Sequence, residues 1–137
     1  MAQFYFLSII FNVLLGLTLL AEYLGGKLEF FSPVRNILLK VGVKTVVVIV
    51  SVLVGIFKLI IKSPGETVPV AGDLLPAMTG IGIGGVLLFD IFRQWVKVPK
   101  ASADNAMNAM MAYYTPLGIF AIVVAILHFI FPGVLIL

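Results

Sequence analysis

Charged side chains are absent from four long stretches of this chain and gather at their ends. The stretches are Met1 to Ala21, Thr45 to Phe57, Leu74 to Phe89, and Asn105 onward, the last broken only by His128. A bilayer core about 30 Å thick is crossed by roughly 20 apolar residues in a helix. The second and third runs hold 13 and 16 residues, so they reach that length only when flanking lysines and acids extend to the headgroups. The pattern predicts an all-α polytopic membrane protein, an antiparallel four-helix transmembrane bundle. Its helices are expected near residues 2–24, 33–62, 74–96 and 112–131, with a short interfacial helix over 103–111.

Composition closes off the alternatives. Hydrophobic residues make up 62% and charged residues 11% of the 137, against about 45–50% and 25% in soluble domains. No room is left for a soluble domain beside four spans. The net charge of +3 comes from basic residues spread over helix ends and not from one basic face, which argues against a nucleic-acid partner and for the lipid bilayer. The absence of cysteine excludes disulfides, thiolate nucleophiles and iron–sulfur ligation. The first run carries no basic n-region and is long enough to span, so it is expected to be a retained helix and not a cleaved signal.

Helical faces locate packing surfaces. Ser8, Asn12 and Gly16 recur every four residues and share one face of the first helix, whose stop is expected at Gly25-Gly26. Ser32-Pro33 reads as the cap and first turn of the second helix and Ser63-Pro64-Gly65 as its end. That helix would be about 45 Å long at about 1.5 Å per residue, so it must tilt or emerge. At about 100° per residue, Lys40, Lys44, Ser51, Lys58 and Lys62 fall within about 40° of each other. Such a lysine stripe suggests a side turned toward protein, water or acidic partners, while snorkelling explains each lysine separately.

Asp73 is placed to cap the third helix. Inside that helix Gly80-Ile81-Gly82-Ile83-Gly84-Gly85 matches both GxGxxG and GxxxG. The dinucleotide fingerprint requires a βαβ unit, which nothing around it supplies, so Gly80 and Gly84 are expected to permit a close helix crossing. After Ser102, a cap candidate, Met107, Met110, Met111 and Tyr114 follow an amphipathic period into a bend at Pro116. Gly118, Ala121, Ala125 and His128 share a face of the last helix, which Pro132-Gly133 ends. His128 is read as a hydrogen-bonded interface residue, with a pH-sensitive role as the functional variant.

The basic residues are unequally divided between the two ends. Seven of the nine, Lys27, Arg35, Lys40, Lys44, Arg93, Lys97 and Lys100, fall beside the first and third loops, and two, Lys58 and Lys62, beside the second. The positive-inside rule puts loops 1 and 3 in the cytoplasm and both termini on the opposite side, and Tyr23, Trp95, Tyr113 and Tyr114 cluster at the same interface. Up-down topology brings Glu22, Lys44, Asp90 and Arg93 to similar depth there, a polar cluster expected to join the helices. As a functional site, Glu22 or Asp90 would take a cation or proton and Lys44 or Arg93 an anion.

Catalysis is disfavoured. One histidine, no cysteine and no nucleophile elbow leave no triad, no multi-histidine cluster offers a metal site, and no cofactor is implied. The expected function is that of a non-enzymatic small integral membrane protein acting through assembly, as an accessory subunit of a membrane complex or as a homo-oligomer. The alternative is a small-ion or small-solute channel or transporter working as an oligomer.

Overall fold

The computed structural model describes residues 2–60, 74–96 and 100–131, and helices account for nearly all of them, with no strand among the described residues. The elements are α1 (Ala2–Lys27), a 3-10 turn (Glu29–Phe31), α2 (Ser32–Leu38), α3 (Val41–Ile60), α4 (Leu74–Trp95), α5 (Lys100–Met111) and α6 (Tyr114–Ile130). Three helices, α1, α3 and α4, are long and apolar enough to cross a membrane. The count becomes four if α5 and α6, bent by 50° at their junction, form one span. The expectations on Lys62, Ser63-Pro64-Gly65, Asp73, Lys97 and Pro132-Gly133, and on the side chains of Lys100 and Ser102, lie outside the described residues.

The pairing of these helices follows from where their small residues lie. A Cβ on Gly16 would stand 2.8 Å from the Gly118 carbonyl oxygen, and one on Gly118 would stand 2.9 Å from that of Gly16. The two glycines thus let α1 and α6 approach backbone to backbone. Ala121 and Ala125, fully buried, continue that contact. α3 and α4 cross as closely: a Cβ on Gly55 would lie 3.0 Å from the Ala77 carbonyl, one on Gly80 3.1 Å from that of Ser51, and one on Gly84 2.5 Å from Val52 Cγ2. In both pairs the residue numbers run in opposite directions, so the pairs are antiparallel. Between them sits an apolar core that includes Leu15, Leu19, Val47, Val48, Ile83 and Leu87.

Three boundaries differ from expectation. Gly25-Gly26 does not end α1, which continues to Lys27, with Leu28 N–H donating to the Leu24 carbonyl at 2.8 Å. A helical glycine costs about 1 kcal/mol, less than leaving backbone groups unbonded in an apolar setting. Ser32 does not cap: it already has helical dihedrals and makes no side-chain cap bond, because the preceding 3-10 turn feeds directly into α2.

The expected single helix over 33–62 is broken at Leu39-Lys40, where Lys40 N–H bonds back only three residues, to Ile37, at 3.2 Å. The break resolves the excess length and lets α2 lie against the end of α1, where Phe31 and Leu38 pack on Ala21. The bend before α6 falls at Ala112-Tyr113. Pro116 explains it, since its ring occupies the space of the carbonyl four residues earlier and it has no N–H to offer it.

Candidate functional site

Polar side chains collect at two levels of the bundle, above and below the apolar core. Lys44 in the first turn of α3 and Lys58 in its last turn mark the levels. They are 14 residues apart, about 21 Å along the helix. Each lysine points inward, to a different set of partners.

At the first level Lys44 Nζ donates to Asp90 Oδ2, with side-chain exposures of 12% and 9%. Gln94 Nε2, one turn on, approaches the same oxygen at 3.4 Å. Arg93 stands 4.0 Å from Asp90 Oδ1 and places its other guanidinium nitrogen 2.5 Å from Asp104 on α5. The pairing therefore ties α3, α4 and α5 together. Glu22 does not join these three directly. Its carboxylate, 69% exposed, takes two N–H groups from Arg35 of α2, at 2.6 and 3.2 Å. The close approach of the Arg35 side chain to Gly25 makes this reach possible, since a Cβ there would collide with Arg35 Cδ.

Glu22, Lys44, Asp90 and Arg93 nonetheless line one cavity of about 520 Å³, whose other walls include Met107, Met111 and Tyr114. The four residues singled out in the sequence thus share a chamber without forming one ion-pair network. The partners Arg35 and Asp104 escape sequence reasoning because a turn and a bend between helices bring them in. Arg93 and Gln94 share a helical sector with Asp90 in the sequence, Arg93 at the i, i+3 spacing of a local ion pair, so both neighbours on α4 are legible there.

At the second level Lys58 Nζ lies 3.0 Å from His128 Nε2, both residues buried. Tyr5 packs its ring 4.8 Å from the imidazole and donates its hydroxyl to the His128 carbonyl at 2.7 Å. That carbonyl would ordinarily accept the N–H four residues on, and residue 132 is proline, so Tyr5 supplies what the helix lacks. Ser8 Oγ bonds the Tyr5 carbonyl at 2.9 Å, and Asn12 Nδ2 donates to the Pro76 carbonyl at 3.2 Å, joining α1 to α4 beside Gly80. Ser51 bonds its own helix at Val47. No fully buried side-chain nitrogen or oxygen lacks a partner among the described residues.

The lysine stripe was the sequence signal for Lys58, and the shared glycine–alanine face the signal for His128. Their pairing requires knowing that α3 and α6 present those faces to the same side of α1. Residues 1–128 match a family model of unknown function. No curated protein and no solved structure matches the chain.

Proposed function

The chain belongs to that family of unknown function, and we propose that it is a non-enzymatic, multi-pass integral membrane protein that acts through assembly, as an accessory subunit or as a homo-oligomer. Support for membrane residence comes from an inverted distribution of polarity. Ser8, Asn12, Thr18, Ser51, Lys58, Thr79, Asp90 and His128 are buried, while Ile10, Val46, Leu53, Ile60, Phe120 and Phe129 are exposed. Water would oppose that arrangement and lipid favours it. In this reading α1, α3, α4 and the α5–α6 pair are four antiparallel spans. The ends of α1 and α4, with exposed Tyr23, Trp95 and Tyr113 and most of the basic residues, face the cytoplasm, and both termini face the other side.

One observation carries the assembly reading: Gly82 and Gly85 on α4 face nothing within 4 Å. Gly16, Gly55, Gly80, Gly84 and Gly118 are all used in close helix crossings inside the chain. Gly82 instead borders an apolar groove of about 380 Å³ between α4 and α6, lined also by Met78, Val86, Leu117 and Phe120. Exposed small residues beside such a groove are what a partner helix needs in order to approach closely.

The chain has no cysteine, so Met78→Cys labelled with a photo-crosslinker reports on this face alone. Crosslinking in native membranes to a second copy or to a different subunit is expected. Adducts with lipid only would reject assembly through α4.

A further inference from the structure

The chamber at the Lys44 level has the dimensions and chemistry of a ligand site. Its volume of about 520 Å³ falls within the range of about 300–1,000 Å³ typical of small-molecule sites. Its charges cancel: Lys44 and Arg93 oppose Glu22 and Asp90 on the walls, and the outer partners Arg35 and Asp104 add one more of each sign. A ligand with net charge would match only one sign of this electroneutral group and leave the largely buried Lys44 and Asp90 out of balance. A dipolar ligand would not.

The two carboxylate oxygens of Asp90 differ in a way that gives the dipole a direction. Oδ2 accepts from Lys44 and from Gln94, whereas Arg93 stands 4.0 Å from Oδ1, beyond hydrogen-bond reach. No fully buried side-chain oxygen among the described residues lacks a partner, so Oδ1 keeps accessible surface, on a residue that lines the chamber. Lys44 has three N–H donors and gives one to Asp90, which leaves capacity for an anion. Met107 and Met111 of α5 supply a flexible apolar part of the lining.

We propose that the chamber binds one zwitterion with an apolar tail. Its primary ammonium donates to Asp90 Oδ1, its phosphate or carboxylate accepts from Lys44 and Arg93, and its tail lies against Met107 and Met111. A phosphoethanolamine lipid and a free aliphatic amino acid share this chemistry. The inference rests on the membrane reading above but not on assembly, since every residue of the site belongs to one chain. A monomeric mass would defeat assembly and leave this site intact, and failure to bind would do the reverse.

The test is calorimetric titration of the chain, purified in a non-ionic maltoside detergent, with dihexanoyl phosphatidylethanolamine, with leucine, and with anionic dihexanoyl phosphatidylglycerol. One or both zwitterions should bind saturably and at least tenfold more tightly than the anionic lipid. Preference for the phosphatidylethanolamine identifies a lipid source, and preference for leucine a free solute. Met111→Trp, on the half-exposed face of α5, should fill the chamber and weaken binding at least tenfold. Asp90→Asn should reverse the preference toward the anionic lipid, a change that loss of packing alone does not produce. No saturable binding to the wild-type chain, equal affinity for the anionic lipid, or full affinity in Met111→Trp would overturn the proposal.

Discussion

Lys58 Nζ on α3 and His128 Nε2 on α6 meet at 3.0 Å inside the bundle, with 7% and 1% of the two residues exposed. An ammonium has only donors to give, so with Lys58 charged the contact fixes Nε2 as the acceptor and puts the imidazole hydrogen on Nδ1. Buried partners of this kind are coupled. His128→Leu removes one of the groups that hold Lys58 and should destabilise the fold by about 1–3 kcal/mol. The double variant Lys58→Met/His128→Leu should lose less than the sum of the single variants. Thermal unfolding of the four proteins in one detergent measures the coupling, and strict additivity would mean that the contact contributes nothing of its own.

Tyr5 reaches the same residue through its backbone. Because Pro132 cannot close the helical bond to the His128 carbonyl, Tyr5→Phe leaves that acceptor without the hydroxyl that now bonds it at 2.7 Å. A loss of about 1–3 kcal/mol is expected, visible as a lowered melting temperature with unchanged helical content. Wild-type stability in Tyr5→Phe would show that the carbonyl is satisfied in another way.

Glycines at a helix crossing and at an open helix end, Gly118 on α6 and Gly26 on α1, should respond in opposite directions. Gly118→Ala places a methyl group 2.8 Å from Leu20 Cγ and 2.9 Å from the Gly16 carbonyl, and overpacking of that kind costs about 1–3 kcal/mol. Gly26→Ala meets nothing within 4 Å and should be neutral or stabilising by up to about 1 kcal/mol. Chemical denaturation of the two variants side by side checks the contrast.

The two acidic residues of the Lys44 level should also separate. Asp90→Asn leaves Lys44 without its buried counter-charge, and breaking a buried pair costs about 3–5 kcal/mol. Glu22→Gln alters a largely exposed pair and should cost no more than about 1 kcal/mol. If the chamber were a conduction path, both amides would abolish flux in reconstituted vesicles. Binding without transport predicts no flux in the wild type to abolish.

How far these features could be read from residues alone depends on the distance over which each is determined. Charge-free runs and helical periodicity are local, so the helices and the small-residue faces around Gly16, Gly80, Gly84 and Gly118 were legible. The common depth of Glu22, Lys44, Asp90 and Arg93 followed from alternating direction, and they do share one chamber. The break at Leu39-Lys40 was hidden because no proline or strong cap marks it, and that break sends Arg35 to Glu22. The bend was visible in Pro116, but its placement beside Asp90 and Arg93 was not. The Lys58–His128 contact depends on how α3 and α6 are rotated about α1, which periodicity on one helix cannot supply.

Native mass spectrometry of the chain extracted in a mild non-ionic detergent, wild type beside Gly82→Trp, tests whether this protein acts through its outward α4 face. The wild type should exceed its own 14.8 kDa, as a defined multiple or with a second kind of subunit, and Gly82→Trp should fall to the single chain while keeping its helical content. A wild type that is monomeric under conditions preserving other membrane complexes, or a Gly82→Trp variant that assembles as before, would contradict it.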